Sequence, residues 1–237
     1  MNAGVIVAGG SGDRFGAEGG KQLAIVAGAP VLRHTVSAFA HCTAVDAIVV
    51  VVSPGRAEEY RARAVDPVDS AKVVAVVPGG STRQLSVQAG LDAVPPGASV
   101  IIVHDGARPL VTPETIEGAV AALSADPALA GVVVGHPSYD TLKSVDRERR
   151  IVGTLDRSTI WAAQTPQVFR AEALREAYAR AAEQGIEGTD DAALVEAAGG
   201  LVSMTEGPRD NIKVTVAEDL RFVERVLAAR EGVGADE

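Results

Sequence analysis

Val5–Gln22 reads VIVAGGSGDRFGAEGGKQ, an apolar β-branched run that breaks into a glycine-rich loop carrying two permanent cations, Arg14 and Lys21. A loop this rich in glycine lets backbone N–H groups approach a ligand closely, because no Cβ blocks them. Amide groups and fixed cations directly after a first strand are typical of a loop that binds polyphosphate. A simpler interpretation, an ordinary solvated turn between a strand and a helix, stays open on composition alone.

Two better-known glycine loops do not fit this stretch. A dinucleotide fingerprint G-x-G-x-x-G that starts at Gly10 would need its third glycine where Phe15 stands. A P-loop that ends at Lys21 would also need glycine at Phe15, and Gln22 replaces its magnesium-binding hydroxyl. The sequence therefore supports neither hydride transfer nor P-loop hydrolysis.

The composition fits one large α/β domain. The 237 residues are 47% apolar and only 3% aromatic, so the core must consist mostly of Val, Ala, Leu and Ile. A formal net charge of −9 argues against binding to nucleic acid. The single cysteine, Cys42, excludes an internal disulfide and a cysteine-based zinc site. Because no apolar run reaches the ~18 residues of a membrane span and no signal peptide is evident, we expect a cytoplasmic protein without a membrane partner.

Strand-like runs alternate with helical patterns along the first half of the chain. The predicted buried strands are Ala47–Ser53, Lys72–Val77, Val100–His104 and Gly131–Val134, and the predicted helices are Pro30–Ala40, Arg56–Ala64, Thr82–Ala93 and Pro113–Ser124. This alternation predicts a Rossmann-like, three-layer α/β fold with a mostly parallel sheet and right-handed crossovers. Ligands of such sheets bind beyond the carboxyl ends of the strands, which is where the glycine loop falls.

The pattern changes between Pro137 and Leu155. Polar residues there alternate with β-favouring ones around a charged turn, DRERR, which predicts a protruding β-arm at about residues 137–155. A surface excursion without a role is the alternative interpretation. The elements predicted after the arm are helices at Ala171–Gln184, Asp190–Ala198 and Ala217 to about Arg230, and short strands at Leu201–Thr205 and Ile212–Val214.

Later loops carry further candidate site residues. PGGSTRQLSV places a second glycine pair at a strand end, followed by Arg83 and Ser86 one helical turn apart. VHDGARP ends a buried strand with Asp105, a hard oxygen ligand suited to a nucleotide-bound Mg²⁺, although a turn or cap role is the alternative. Lys213 interrupts the strand-like run in RDNIKVT, an unusual position for a charge unless it faces a site.

Taken in chain order, the motifs resemble the 2-C-methyl-D-erythritol 4-phosphate cytidylyltransferase family of the non-mevalonate isoprenoid pathway. The motifs are VAGGSGDRFG with KQ, PGGSTRQLSV, VHDGARP, DTLK, TLDRSTIWAAQTPQVF, TDDAALVE and RDNIKVT, and they extend from about Ala3 to about Leu227. Ribitol-5-phosphate cytidylyltransferases share the first loop, the HD-x-x-R-P element and QTPQ. Lys143 and the pattern Thr154, Arg157, Trp161 are more similar to the erythritol enzymes.

The resemblance implies transfer of CMP from CTP to 2-C-methyl-D-erythritol 4-phosphate, with release of pyrophosphate and help from Mg²⁺ or another divalent cation. It also implies one domain of the nucleotide-diphospho-sugar transferase type over residues 1–237 and a homodimer whose arms clasp each other. Some relatives carry a fused cyclodiphosphate synthase, which we do not expect here because no residues remain for one. The acceptor phosphate is already a nucleophile at neutral pH, so catalysis needs positioning and charge stabilisation rather than a general base.

The resemblance also implies residue roles. The catalytic cations would be Arg14, Lys21, Arg157 and Lys213; the nucleotide would contact Ala8, Gly9, Gly10, Gly12, Gly80, Ser81, Arg83 and Ser86; Asp105 would hold the metal bound to the nucleotide; and Arg108, Thr141, Arg157, Thr165 and Thr189 would hold the methylerythritol phosphate. The arm would deliver Thr141 and Arg157 to the site of the partner subunit. A ribitol-5-phosphate cytidylyltransferase and a non-catalytic nucleotide-binding module remain the alternative functions.

Overall fold

The computed structural model describes residues 1–10, Phe15 and residues 20–233. Its strands are β1 (Asn2–Ala8), β2 (Ile25–Val26), β3 (Ala29–Pro30), β4 (Ala47–Val52), β5 (Val73–Pro78), β6 (Val100–Asp105), β7 (Gly131–Pro137), β8 (Lys143–Val145), β9 (Ile151–Thr154), β10 (Trp161–Arg170) and β11 (Val202–Glu206). Its α-helices are α1 (Val31–His41), α2 (Ala57–Tyr60), α3 (Arg83–Ala93), α4 (Pro113–Ala125), α5 (Ala171–Gln184), α6 (Asp191–Ala197) and α7 (Asp219–Val233). No helix within these ranges combines the length and the apolar character needed to cross a membrane.

Seven strands form one central sheet in the order β11-β7-β10-β6-β1-β4-β5. Every neighbouring pair is parallel except the two that involve β10, which runs antiparallel to both β6 and β7. In the middle of the sheet, Val5 of β1 pairs with Val49 of β4 and with Val103 of β6. The prediction of a mostly parallel α/β sheet is confirmed, and the carboxyl ends of β1, β4, β5 and β6 meet at one edge.

Helices cover both faces of the sheet, which explains the continuous apolar strands. Along β4, Ile48, Val50 and Val52 belong to the apolar cluster that includes side chains of α1 and α4, whereas Val49 and Val51 belong to the cluster with α3, α5 and α6. All six residues of β4 are buried. A strand that is buried on both faces must be apolar at every position, so AIVVVV shows no alternation.

The structure differs from the predicted elements in several places, including the short strands β2 and β3, which were not predicted. Strand β10 was not predicted, because Pro and several polar residues in its sequence are unfavourable for a central strand. The predicted strand at Ile212–Val214 is wrong, since this segment has no regular structure and is held instead by a bond from the Val214 N–H to the Ala107 carbonyl, 2.8 Å long. The predicted helix at Arg56–Ala64 is α-helical only in α2 and continues as a π-helical turn, Arg61–Val65.

The predicted arm is a separate antiparallel pair formed by β8 and β9. Arg149 in its turn adopts a left-handed φ of 64°, and the Asp146 carboxylate accepts a hydrogen bond from the Arg150 N–H at 2.8 Å. Both strands lie within the predicted range. Ile151 and Val152 on β9 are 64% and 67% exposed, so the arm presents apolar side chains to its surroundings.

Gly90 lets α3 pack closely on the sheet. A Cβ at this position would overlap a methyl group of Val5 and lie 2.9 Å from a methyl group of Val51. We therefore expect Gly90→Ala to lower the free energy of unfolding by about 1–3 kcal/mol, as overpacking of a core usually does. Gly118, exposed in α4, has no atom within 4 Å of such a Cβ, so Gly118→Ala should instead stabilise the protein by up to about 1 kcal/mol.

Chemical denaturation of the two glycine variants and the wild type measures both effects. A Gly90→Ala protein as stable as Gly118→Ala would contradict the close approach of α3 to β1 and β4.

Candidate active site

A cavity of about 660 Å³ opens at the edge where the parallel strands end. The described residues that line it are Val7, Gly9, Gly10, Lys21, Gln22, Ser53, Pro54, Gly79, Gly80, Ser81, Thr82, Arg83, Ser86, Asp105, Ala107 and Lys213. They come from the ends of β1, β4, β5 and β6, from the short turn before β2, from the start of α3 and from the segment before α7. A cleft at this edge is the usual ligand site of an open α/β sheet.

The predicted site residues fall into three groups. Those that line the cavity are Gly9, Gly10, Lys21, Gly80, Ser81, Arg83, Ser86, Asp105 and Lys213. Those that the structure describes elsewhere are Ala8, which is buried in β1, and Arg108, Thr141, Arg157, Thr165 and Thr189. Gly12 and Arg14 lie outside the described residues. The chemical role of each residue remains a prediction.

The second glycine loop, which contains Gly79 and Gly80, is held by hydrogen bonds of the Ser86 hydroxyl. The Gly80 N–H donates to the Ser86 Oγ at 3.1 Å, and the Ser86 hydroxyl donates to the Thr82 carbonyl at 2.8 Å. A Cβ on Gly79 would lie 2.6 Å from the Ser86 Oγ, so the loop has no room for a side chain there. Thr82 caps α3 by accepting a hydrogen bond from the Leu85 N–H. The N-terminus of α3 thereby faces the cavity, where its partial positive charge favours an anion.

Asp105 is surrounded by three cationic side chains. Its Oδ2 lies 2.8 Å from the Lys213 Nζ and 3.7 Å from the Arg108 Nε, and its Oδ1 lies 3.3 Å from the Arg83 Nε. Burial alone would raise the pKa of Asp105, but Arg83 and Lys213 hold the pKa well below its usual range. The stability that this ionised carboxylate contributes is present above the ordinary carboxyl pKa and is lost only in strong acid.

Lys213 is held beside Asp105 by an irregular segment with well-defined anchors. The Arg108 guanidinium donates to the Asn211 carbonyl at 2.7 Å, and the Asn211 side-chain amide donates to the Thr165 carbonyl at 2.8 Å. Asn211 is fully buried. Together with the bond between Val214 and the loop after β6, these contacts fix the segment on both sides of Lys213. The charge in a strand-like run therefore does face the site, although the run is not a strand.

Thr165 lies beneath Asp105 in a chain of buried hydrogen bonds. The Asp105 N–H donates to the Thr165 Oγ1 at 3.1 Å. Because the Arg108 carbonyl can only accept, a neutral His104 carries its proton on Nε2, and its Nδ1 therefore accepts from the Thr165 hydroxyl at 3.0 Å. The His104 Nε2–H is then the donor to the Arg108 carbonyl at 3.3 Å. Burial lowers the pKa of His104 to about 4, which keeps the imidazole neutral for this arrangement. These bonds place the Thr165 hydroxyl under the site, and its predicted contact with a substrate phosphate stays a prediction.

Ser53 is a cavity residue that sequence reasoning missed. It directly follows β4, and its hydroxyl donates to the Gly9 carbonyl at 3.4 Å, which joins the first loop to the neighbouring strand end. Pro54 lines the same wall. The sequence could have predicted the position of Ser53, because the first polar residue after each buried parallel strand must reach the same edge of the sheet.

The donor set at the site suits a metal ion that arrives with a polyphosphate. In the part of the chain that the structure describes, no three His, Cys, Asp or Glu side chains cluster closely enough to hold an ion between them. Asp105 supplies one hard carboxylate at the cavity wall. Mg²⁺ is commonly bound by one or two carboxylates together with substrate phosphates, so this single carboxylate fits that mode.

An α/β sheet with glycine loops, a helix N-terminus and lysine and arginine side chains at its carboxyl edge is typical of the class of α/β proteins that bind nucleotides. The family model described as 2-C-methyl-D-erythritol 4-phosphate cytidylyltransferase matches residues 3–229. The chain therefore belongs to that family.

Individual relatives agree with this assignment. The chain is 41% identical over 230 residues to the 2-C-methyl-D-erythritol 4-phosphate cytidylyltransferase of Pelotomaculum thermopropionicum, covering 97% of this chain and 95% of the relative. It is also 41% identical over 231 residues to the enzyme of the same name from Synechococcus elongatus, covering 98% of each. The crystal structure of 4-diphosphocytidyl-2C-methyl-D-erythritol synthase from Anaerococcus prevotii matches with a TM-score of 0.82 at 27% identity, covering 96% of each chain.

Proposed function

We propose that this protein transfers CMP from CTP to 2-C-methyl-D-erythritol 4-phosphate, giving 4-diphosphocytidyl-2-C-methyl-D-erythritol and pyrophosphate for isoprenoid precursor synthesis. The observation that carries the proposal is the charge cluster at the cavity wall, where Lys213, Arg83 and Arg108 surround Asp105. Even with Asp191, which pairs with Arg83 at 2.8 Å, the three cations outnumber the carboxylates, and the resulting net positive charge suits two phosphate-bearing substrates. Membership of the cytidylyltransferase family over residues 3–229 supports the choice of those substrates.

The reaction is an in-line displacement at the α-phosphorus of CTP. A phosphate oxygen of the acceptor forms the new bond to phosphorus, and the bond to the bridging oxygen breaks, so that pyrophosphate leaves with the electron pair. Both reactants are anions, and negative charge accumulates on the oxygens around phosphorus. Lys21 and Lys213, which line the cavity, would stabilise that charge, together with Arg14. No proton needs to be removed from the acceptor, so the site requires no general base.

The remaining predicted ligands are assigned as follows. Amide groups of the two glycine loops, with Ser81 and Arg83, would hold the nucleotide, and Arg108 and Thr189 would contact the acceptor. Asp105 would hold a nucleotide-bound Mg²⁺, which offsets the repulsion between the two anionic substrates when it is bound. Lys213, which pairs with Asp105 at 2.8 Å, would bridge the α-phosphate and the incoming phosphate of the acceptor.

An acceptor assay tests the proposed function. Purified protein is mixed with CTP and Mg²⁺, and pyrophosphate release is followed without acceptor, with 2-C-methyl-D-erythritol 4-phosphate and with ribitol 5-phosphate. We expect release only with the methylerythritol phosphate. Faster release with ribitol phosphate would assign the protein to the other cytidylyltransferase. Release with neither acceptor, while CTP still binds, would indicate a nucleotide-binding module without turnover.

We further propose that the arm forms the interface of a homodimer. An isolated pair of strands is marginally stable in water unless it packs on something, and this pair exposes Val145, Ile151 and Val152. Thr141 and Arg157 flank the arm, and neither is among the described residues that line the cavity. A two-fold dimer that buries the arms would let each chain supply these residues to the cavity of its partner. The Arg157 guanidinium suits that role, because it binds phosphate bidentately and stays charged.

Mixed dimers test whether the arm acts on the partner. Arg157→Ala and Lys21→Ala chains should each be nearly inactive alone, whereas a heterodimer would contain one site with both residues intact. A randomly assembled equal mixture should recover about a quarter of wild-type activity, since half the dimers are mixed and each has one working site of two. Arg225→Ala, which removes a charge from an exposed position of α7 away from the arm, should keep its activity and serves as the control.

Two results would contradict the dimer proposal. If tagged heterodimers are isolated and show no activity, Arg157 serves its own chain. If the mass measured in solution is that of a single chain, the arm does not form a dimer interface.

A further inference from the structure

A buried hydrogen-bond chain lies behind Arg83 and is not part of the mechanism described above. The Tyr178 hydroxyl donates to the Asp191 Oδ1 at 2.6 Å, and the Arg83 Nη2 donates to the Asp191 Oδ2 at 2.8 Å. The Arg83 Nε faces the Asp105 Oδ1 at 3.3 Å. Asp191 is fully buried and Tyr178 is 3% exposed. Arg83 therefore bridges one carboxylate at the cavity wall and a second one inside the protein.

The partners of Asp191 offset the cost of burying its charge. A buried carboxylate is costly unless it is paired and hydrogen-bonded, and Asp191 has a partner on each oxygen. Burial alone would lower the pKa of Arg83, but the charges of Asp191 and Asp105 outweigh it and raise that pKa. Burial and the charge of Asp191 both raise the pKa of Tyr178. Arg83 therefore stays charged and Tyr178 stays a hydrogen-bond donor near neutral pH.

Asp191 is itself held in place by neighbouring elements. It begins α6, which Asp190 caps by accepting a hydrogen bond from the Ala193 N–H at 2.9 Å. Gln167 of β10 donates to Asp190 at 2.8 Å and accepts from the Ala192 N–H at 3.1 Å. Tyr178 lies on α5. The position of Arg83 on α3 is thus tied to α5, α6 and β10, none of which contributes a described residue to the cavity lining.

We propose that Asp191 and Tyr178 are positioning residues for the nucleotide site, because they hold Arg83 so that it occupies only one oxygen of Asp105. The other oxygen, Oδ2, then remains paired with Lys213 at 2.8 Å. A guanidinium that is released from Asp191 can bind a carboxylate through two parallel N–H groups. It would then take both oxygens of Asp105 and leave the wall of the cavity, where Arg83 is expected to contact the nucleotide, so that CTP would bind more weakly. This inference rests on that proposed function.

Three variants distinguish the positioning of Arg83 by Asp191 and Tyr178 from a loss of folding. Asp191→Asn keeps the size of the side chain but loses its charge, and Tyr178→Phe removes only the hydroxyl donor. Glu196→Gln is the control, because it makes the same type of change at an exposed position of the same helix. We expect Asp191→Asn to raise the KM for CTP about tenfold, the size expected for one lost hydrogen bond to a charged group. Tyr178→Phe should raise the same KM by a smaller factor, about threefold.

The pattern of kinetic changes identifies the role. A variant that is merely misfolded in part lowers kcat through its active fraction and leaves both KM values unchanged. The proposal requires the KM for CTP to rise while the KM for the acceptor stays within about twofold of the control. If Asp191→Asn and Tyr178→Phe both match Glu196→Gln in the KM for CTP, the proposal is overturned. Should Asp191→Asn fail to fold, Tyr178→Phe alone decides the matter.

A double-mutant cycle with Arg83→Gln tests whether Asp191 acts through Arg83. In the Arg83→Gln background, Asp191→Asn should weaken CTP binding by less than about twofold further, since the side chain that it positions is gone. Additive losses would overturn the proposal. Calorimetric titration with CTP measures the cycle without turnover. A wild type that binds CTP but releases no pyrophosphate would contradict the proposed function, while the same titrations would still decide the coupling between Asp191 and Arg83.

Discussion

Lys213→Ala is expected to lower kcat by about 10²–10³-fold, the usual effect of removing one group that stabilises transition-state charge. Of the three cations described around Asp105, Lys213 is the closest, at 2.8 Å, and its side chain is 40% exposed. Truncation therefore leaves no cavity in the apolar core, and the melting temperature should change little. Lys21→Ala should have a comparable effect, because Lys21 also lines the cavity. Arg14→Ala is expected to behave in the same way on the basis of the sequence.

Steady-state kinetics and thermal unfolding of the same preparations measure this prediction. Arg225→Ala, which removes one cation from an exposed position of α7, is the matched control and should retain full activity. Near-normal turnover of folded Lys213→Ala and Lys21→Ala proteins would disprove the interpretation of the cavity as a triphosphate site.

Asp105→Asn is expected to damage both catalysis and stability. The amide keeps the size of the carboxylate but loses the charge that binds a hard cation, so the use of Mg²⁺ should suffer more than the recognition of CTP. The same change leaves Arg83, Arg108 and Lys213 facing one another without a carboxylate between them. Because Arg108 is largely buried, we expect the free energy of unfolding to fall by about 3–5 kcal/mol, as when one partner of a buried ion pair is removed.

Pyrophosphate release measured against Mg²⁺ concentration separates the two effects. The Asp105→Asn protein should need more Mg²⁺ for half-maximal rate, while a CTP titration should show a smaller change in affinity. Full activity of this variant at limiting Mg²⁺ would show that Asp105 is not the metal ligand. An unchanged free energy of unfolding would show that the three cations do not depend on the carboxylate.

Much of the site followed from local sequence patterns. The apolar runs of β1, β4 and β6 could be recognised because a parallel strand buried on both faces is apolar throughout. Parallel strands deliver their carboxyl ends to one edge, so the residues directly after them had to meet there. For this reason Gly9, Gly80 and Asp105, which are far apart in the chain, were expected in one place and line one cavity. Ser53 could have been added by the same reasoning.

Other features required the folded chain. Strand β10 contains Pro166 and several polar side chains, and only its two neighbours in the sheet make it a strand. The run at Ile212–Val214 has strand-like composition, but within the described residues it pairs with no strand. Instead the Val214 N–H donates to the Ala107 carbonyl, and the preceding residue, Asn211, accepts a hydrogen bond from Arg108. Composition indicates whether a segment favours a β-strand, whereas pairing with distant segments decides whether the strand forms.

The sequence by itself determined the class of fold, the edge that carries the site, the glycine loops and the family, because each depends on residues close together in the chain or on motifs in a fixed order. Only the tertiary structure decided which charges pair. Arg83 lies 22 residues from Asp105 and 108 residues from Asp191 in the chain, and no local pattern relates the three. Their contacts arise because α3 and α6 pack on the same face of the sheet, and the cost of burying an unpaired charge then selects Arg83 as the partner of Asp191.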